Sequence, residues 1–143
     1  MRRLALLALL VPLLGACGSD QDAYCDAVGE HQEGLSEIVG SGDPDALIQA
    51  LDVLRDLQEQ APDDISDEWQ QVVGRIEALA GALDDAGVDP TTYDRDAPPT
   101  DLNDDQAAAI DAAAEELGSG TTLRALQDLD QQARDVCKTP LTL

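Results

Sequence analysis

The sequence predicts an all-α fold, a bundle of four to five helices, and three observations carry that expectation. Apolar residues recur at three- and four-residue steps through most of the chain, the spacing that lays one stripe along a helix. Residues that start and stop helices sit where those stripes begin and end, as with Pro62, Gly87 and the Asn103–Gln106 pair. No run alternates apolar and polar residues as a half-buried strand requires. Hydrophobic residues make up 43% of the 143, enough to argue for a folded body despite a formal net charge of −22. The length fits one domain of roughly 100–150 residues.

The first helix is expected from about Asp20 to Val39, with Cys25, Val28, Leu35 and Val39 on one stripe and Gly40-Ser41-Gly42 ending it. Gly29 and Gly34 weaken its interior by about 1 kcal/mol each relative to Ala. Asp43-Pro44 reads as an N-cap followed by proline at the first helical position of a second helix. Its stripe is Leu47, Leu51, Leu54 and Ala61, and Pro62 stops it. A third helix is expected to be capped by Ser66, with Asp67 and Glu68 in its electropositive first turn. It carries the strongest amphipathic pattern, Trp69, Val72, Val73, Ile76, Leu79, Ala80, Leu83 and Ala86, and ends at Gly87. At about twenty residues it would be ~30 Å long and form the spine of the domain. A loop from Val88 to Leu102 follows, bearing Pro90, Pro98 and Pro99, in which Thr91-Thr92-Tyr93 offers some local packing. Asn103 with Gln106 resembles a capping box for the fourth helix, whose stripe is Ala107, Ile110, Ala114 and Leu117 before Gly118-Ser119-Gly120. The fifth is expected to start at Thr121 or Thr122, to bury Leu123, Leu126, Leu129, Ala133, Val136 and Cys137, and to end at Pro140.

The chain opens MRRLALLALLVPLLGACGSD. Arg2 and Arg3 precede an apolar run from Leu4 to Leu14, which is too short to span a bilayer, since a spanning helix needs roughly 20 apolar residues. A charged start, a short apolar region and small residues after it are the layout of a secretory signal peptide. Leu14-Gly15-Ala16-Cys17 resembles the lipobox of bacterial lipoproteins. The resemblance implies that the Cys17 thiol receives a diacylglyceryl group, that the chain is cut just before it, and that the new amine can be acylated. One acyl chain holds a protein to a membrane marginally, whereas two or more hold it firmly at about 0.8 kcal/mol per buried CH₂. The expected organisation is a signal peptide over 1–16, a lipidated polar tether over 17–22, and a helical domain over 23–143. The expected location is the cell membrane, lipid-anchored on the extracytoplasmic side.

Loss of Arg2 and Arg3 with the signal peptide would leave the mature chain more acidic still. Such a surface repels phosphate, which excludes nucleic-acid binding through a basic footprint. Anionic headgroups repel it too, leaving the lipid at Cys17 as the expected membrane contact. Partners drawn by charge are expected to be cationic: basic proteins, metal ions or polyamines. Arginine supplies all but one of the basic residues, Lys138 is the sole lysine, phenylalanine is absent, and Ala, Asp and Gly are abundant. That bias fits a GC-rich genome, and the chain is similar to small helical lipoproteins of actinobacteria. Salt-loving archaea share the acidic, lysine-poor surface and the lipobox.

With Cys17 lipidated, Cys25 and Cys137 remain, and two cysteines in an exported protein read as one disulfide. It would tie the first helix to the fifth and close the bundle. No C-x-x-C redox motif is present.

The residues that carry chemistry do not gather. His31 is the sole histidine and is expected at the surface; a zinc or copper site needs several nitrogen or sulfur ligands. Ser41 and Ser119 lie beside glycines but outside any G-x-S-x-G, and no phosphate-binding glycine loop follows a strand. Carboxylates are too abundant for any pair to stand out as a glycosidase couple. Asp101-Leu102-Asn103-Asp104-Asp105 copies the start of a calcium loop, yet Gln106 replaces the sixth-position glycine and Ala112 stands where the bidentate glutamate belongs. These acids read as solvated charge and helix caps, so neither a metal nor another cofactor is expected. Trp69 reads as core rather than as a ligand-stacking platform. The expectation is a non-enzymatic binding or interaction module of the cell envelope. The alternatives are a carrier of a small apolar ligand or lipid in an inter-helix cavity and, ranked below it, an enzyme of unrecognised type.

Overall fold

The computed structural model describes residues 19–143, all of whose regular elements are helical. They are α1 (Ser19–Gly40), α2 (Ala46–Gln49), α3 (Leu51–Gln60), a 3₁₀ turn (Asp63–Ile65), α4 (Ser66–Asp85), α5 (Asp104–Leu117), α6 (Gly120–Gln132) and a π turn (Ala133–Cys137). The protein is an all-α bundle, and a Cys25–Cys137 disulfide with Cα atoms 5.0 Å apart joins α1 to the C-terminal turn. Among the described residues no helix is long and apolar enough to cross a membrane.

The expected spine is present. α4 touches α2, α3, α5 and α6, while α1 lies against α2, α3 and the π turn. Trp69, Val72, Val73 and Ile76 of α4 are buried against Tyr24 and Val28 of α1, Leu54 and Leu57 of α3, and Leu129 of α6. Gly87 stops α4 as expected. With φ +68° it takes the left-handed conformation that glycine adopts without steric cost, and the Val88 N–H reaches back to the Leu83 carbonyl at 2.9 Å. The capping box of α5 also forms: Asn103 Oδ1 accepts from the Gln106 N–H at 2.9 Å, and Gln106 Oε1 accepts from the Asn103 N–H at 3.2 Å.

Several expectations give way to tertiary packing. The second helix is two segments that meet at Ala50, which is fully buried with ψ −9°. α2 can then lean on α4 while α3 packs along α1. Asp43 and Pro44 lie in the turn before it; the N-cap position belongs to Asp45, which makes no side-chain cap bond. Ser66 does not cap α4 either. Its hydroxyl donates to the Asp63 carbonyl at 3.0 Å, because the 3₁₀ turn inserted there carries Ile65 into the core. α1 itself starts at Ser19, close to the expected start at about Asp20, so its first turn takes up Ser19 to Asp22 of the expected tether. Val39 and Leu123, both expected on buried stripes, are 43% and 51% exposed.

The face that α6 turns inward is Thr122, Ala125 and Leu129. Thr122 is fully buried because it is satisfied. Its hydroxyl donates to the Glu116 carbonyl at 2.8 Å and accepts from Gln71 Nε2 at 3.1 Å. The start of α6 is also earlier than expected, at Gly120, with Ser119 Oγ accepting from the Thr122 N–H. The scarce arginines join elements: Arg55 links α3 to Glu77 of α4 at 2.8 Å, and Arg75 links α4 to Glu116 of α5 at 3.5 Å.

Candidate functional site

Cys17 and its lipobox lie outside the described residues. Cys25 and Cys137 are brought together as the disulfide. His31, expected at the surface, is half-buried between α1 and α3. Its Nε2 lies 2.7 Å from Asp56 Oδ2, which also accepts from Gln60 Nε2 at 3.1 Å. The ring thus joins two helices, and no serine or cysteine stands in that hydrogen-bond set. Among the described residues no three His, Cys, Asp or Glu side chains converge as metal ligands. The Asp101–Asp105 stretch turns helical at Asp104 with Asn103 engaged in its cap, whereas a calcium loop would need those residues wrapped around an ion.

Trp69 and Tyr24 meet in the core with ring centres 6.4 Å apart and planes at 77°, and Trp69 Nε1 donates to Tyr24 Oη at 3.3 Å. Burial pushes the Tyr24 phenol up to about 12 from an ordinary value of 10.0, and the hydrogen bond from Trp69 offsets a little of that rise. The folded protein therefore holds this proton more tightly than the unfolded chain. The associated stability is complete below pH 10 and is lost as the pH climbs through about 12. The effect is about 2–3 kcal/mol at full ionisation. Melting temperatures measured from pH 9 to 12 should fall accordingly, and Tyr24→Phe should remove this part of the fall. An unchanged alkaline profile in the variant would assign the loss to other groups.

A concavity among the described residues has a mostly apolar lining, with Arg95 and Asp111 as its charged members. It holds 180 Å³ between α2, α4, α5 and the proline-bearing loop, and its lining includes Ile48, Leu79, Leu83, Tyr93, Ile110 and Ala114. Leu83 and Ile110 are almost fully buried and form its floor, while Ile48, Leu79 and Tyr93 are partly open. Arg95 lies at its edge. Its Nε sits 2.7 Å from Asp111 Oδ1 and its second nitrogen 3.6 Å from Glu115, which pins the loop to α5. The Asp111 contact is electrostatic rather than a directed hydrogen bond, and the oxygen is shielded from solvent. A broader hollow of 590 Å³ lies between the start of α1 and the α3–α4 turn, with Asp20, Gln21, Glu59, Gln60, Asp63 and Asp64 in its lining.

The two concavities occupy opposite ends of α4. The hollow includes residues just before α4, whereas the cleft uses Leu79 and Leu83 near its C-terminus, about 25 Å further along at 1.5 Å per residue. The N-terminus of α1 is at the hollow end. No sequence pattern announced the cleft, because its walls come from separate segments whose stripes each read as ordinary core. Tyr93, expected to offer some local packing in its loop, is found in the cleft lining beside residues of α4 and α5. The chain matches no protein-family model, no curated protein and no solved structure, so the cleft is read from its own geometry.

Proposed function

We propose that this is a lipid-anchored protein of the cell envelope that acts by binding a partner rather than by catalysis. The observation that carries the anchor is the Leu14-Gly15-Ala16-Cys17 box at the end of a short apolar run behind two arginines. The disulfide supports an oxidising, extracytoplasmic location. The binding role draws support from the apolar cleft and from the formal net charge of −22 of the full sequence, which favours cationic partners. At 180 Å³ the cleft is smaller than the roughly 300–1,000 Å³ of pockets that enclose whole ligands. That size favours contact with one group of a partner over carriage of a lipid.

Cys17→Ser tests the anchor. The variant is expected to stay uncleaved by the lipoprotein peptidase and to leave the lipid-modified fraction when cells are extracted by detergent phase partitioning. A processed variant still entering the detergent phase would refute the assignment.

A further inference from the structure

We infer that the apolar cleft between α2, α4, α5 and the proline-bearing loop is a docking pocket for one apolar side chain presented by a basic protein segment. Three features of the site select that occupant. The first is size. A protein cavity of about 150 Å³ accommodates a benzene ring, so 180 Å³ suits a single phenylalanine or leucine side chain. Buried anchors of this kind dominate the energetics of many interfaces.

The second feature is charge. Exposed carboxylates stand next in sequence to the lining residues: Asp43 beside Pro44, Asp84 beside Leu83, Asp89 beside Pro90, and Asp94 between Tyr93 and Arg95. Thr91 donates to Asp89 from both its hydroxyl and its N–H, which fixes that carboxylate in place. Arg95, the cation at the edge, already faces Asp111 and Glu115. Exposed carboxylates one residue away from the lining, on a chain of net charge −22, complement an apolar residue flanked by lysine or arginine. The same net charge opposes a second copy of this chain, because two such surfaces would repel.

The third feature is position. This inference rests on the binding role and the anchor proposed above. With the lipid ahead of α1, the cleft lies at the far end of α4 from the hollow beside the α1 N-terminus. On that reading the cleft stands at the end of α4 away from the anchor, where a protein partner can reach it.

The test uses the full chain in detergent and three synthetic probes: Lys-Lys-Phe-Lys-Lys, its alanine analogue Lys-Lys-Ala-Lys-Lys, and Glu-Glu-Phe-Glu-Glu. Affinities are read from methyl chemical shifts of Ile48, Leu79, Leu83 and Ile110. The basic phenylalanine peptide should bind about tenfold or more tightly than the alanine analogue, as burial of a ring predicts. The acidic peptide should bind more weakly still. Ala114→Leu fills the cleft and should erase the preference for phenylalanine over alanine. Asp43→Asn combined with Asp84→Asn leaves the cleft untouched, and should weaken the basic peptide several-fold and flatten its salt dependence. Equal binding of the phenylalanine and alanine peptides would overturn the inference, leaving only diffuse electrostatic attraction. So would toluene binding as tightly as the basic peptide, which would make the cleft a small-molecule site. The peptide assay does not depend on the fate of Cys17→Ser, so failure of the docking pocket and failure of the anchor are read separately.

Discussion

Reducing the Cys25–Cys137 bond is expected to destabilise the domain by about 4–5 kcal/mol, the value the chain-entropy model assigns to a loop of about a hundred residues. The bond spans 112 positions and joins α1 to the C-terminal turn, so it restricts most of the unfolded chain at once. It also holds a segment with few other ties to α1: Gln32 Nε2 donates to the Pro140 carbonyl at 2.8 Å, and the Leu143 N–H donates to Ser36 Oγ at 2.8 Å. Melting with and without reductant should differ by more than about 10 °C for a domain of this size. A Cys25→Ala, Cys137→Ala double variant should melt at the lower temperature and ignore the reductant. Mass spectrometry of unreduced protein should find the two cysteine-bearing peptides linked. Two alkylatable thiols in exported protein would contradict the pairing.

Trp69→Ala should cost about 3–5 kcal/mol, the range for truncating a fully buried aromatic side chain. Trp69 is 0% exposed and sits where α1, α3 and α4 converge. Its removal opens a cavity in the core and deprives Tyr24 Oη of its donor, leaving a buried phenol to find another partner. Trp69→Phe separates the two losses, since it keeps much of the apolar volume and removes the N–H. Urea midpoints followed by far-ultraviolet circular dichroism should rank the wild type above Trp69→Phe and Trp69→Phe above Trp69→Ala. Equal midpoints for the two variants would assign the whole effect to the hydrogen bond rather than to packing.

The sequence by itself determined that the chain is helical, where α4 and α5 run, that Gly87 stops α4 and that Asn103 and Gln106 cap α5. Those features depend on neighbours three or four positions away. A stripe such as Trp69–Val72–Val73–Ile76 and a box such as Asn103–Gln106 are complete within one or two turns. The cysteine pairing was equally legible, because once Cys17 is set aside as the lipobox residue the two remaining cysteines have one way to join. Tertiary structure decided what depends on a second element. Ala50 interrupts the second helix because α2 and α3 serve different neighbours. Ile65 displaces Ser66 from its expected capping role because burying an isoleucine outweighs one cap. Thr122 replaces Leu123 in the core because Gln71 and the Glu116 carbonyl satisfy its hydroxyl, a circumstance invisible from α6 alone. The apolar cleft belongs to the same class: a concavity exists only between elements, so no single stretch of chain encodes it.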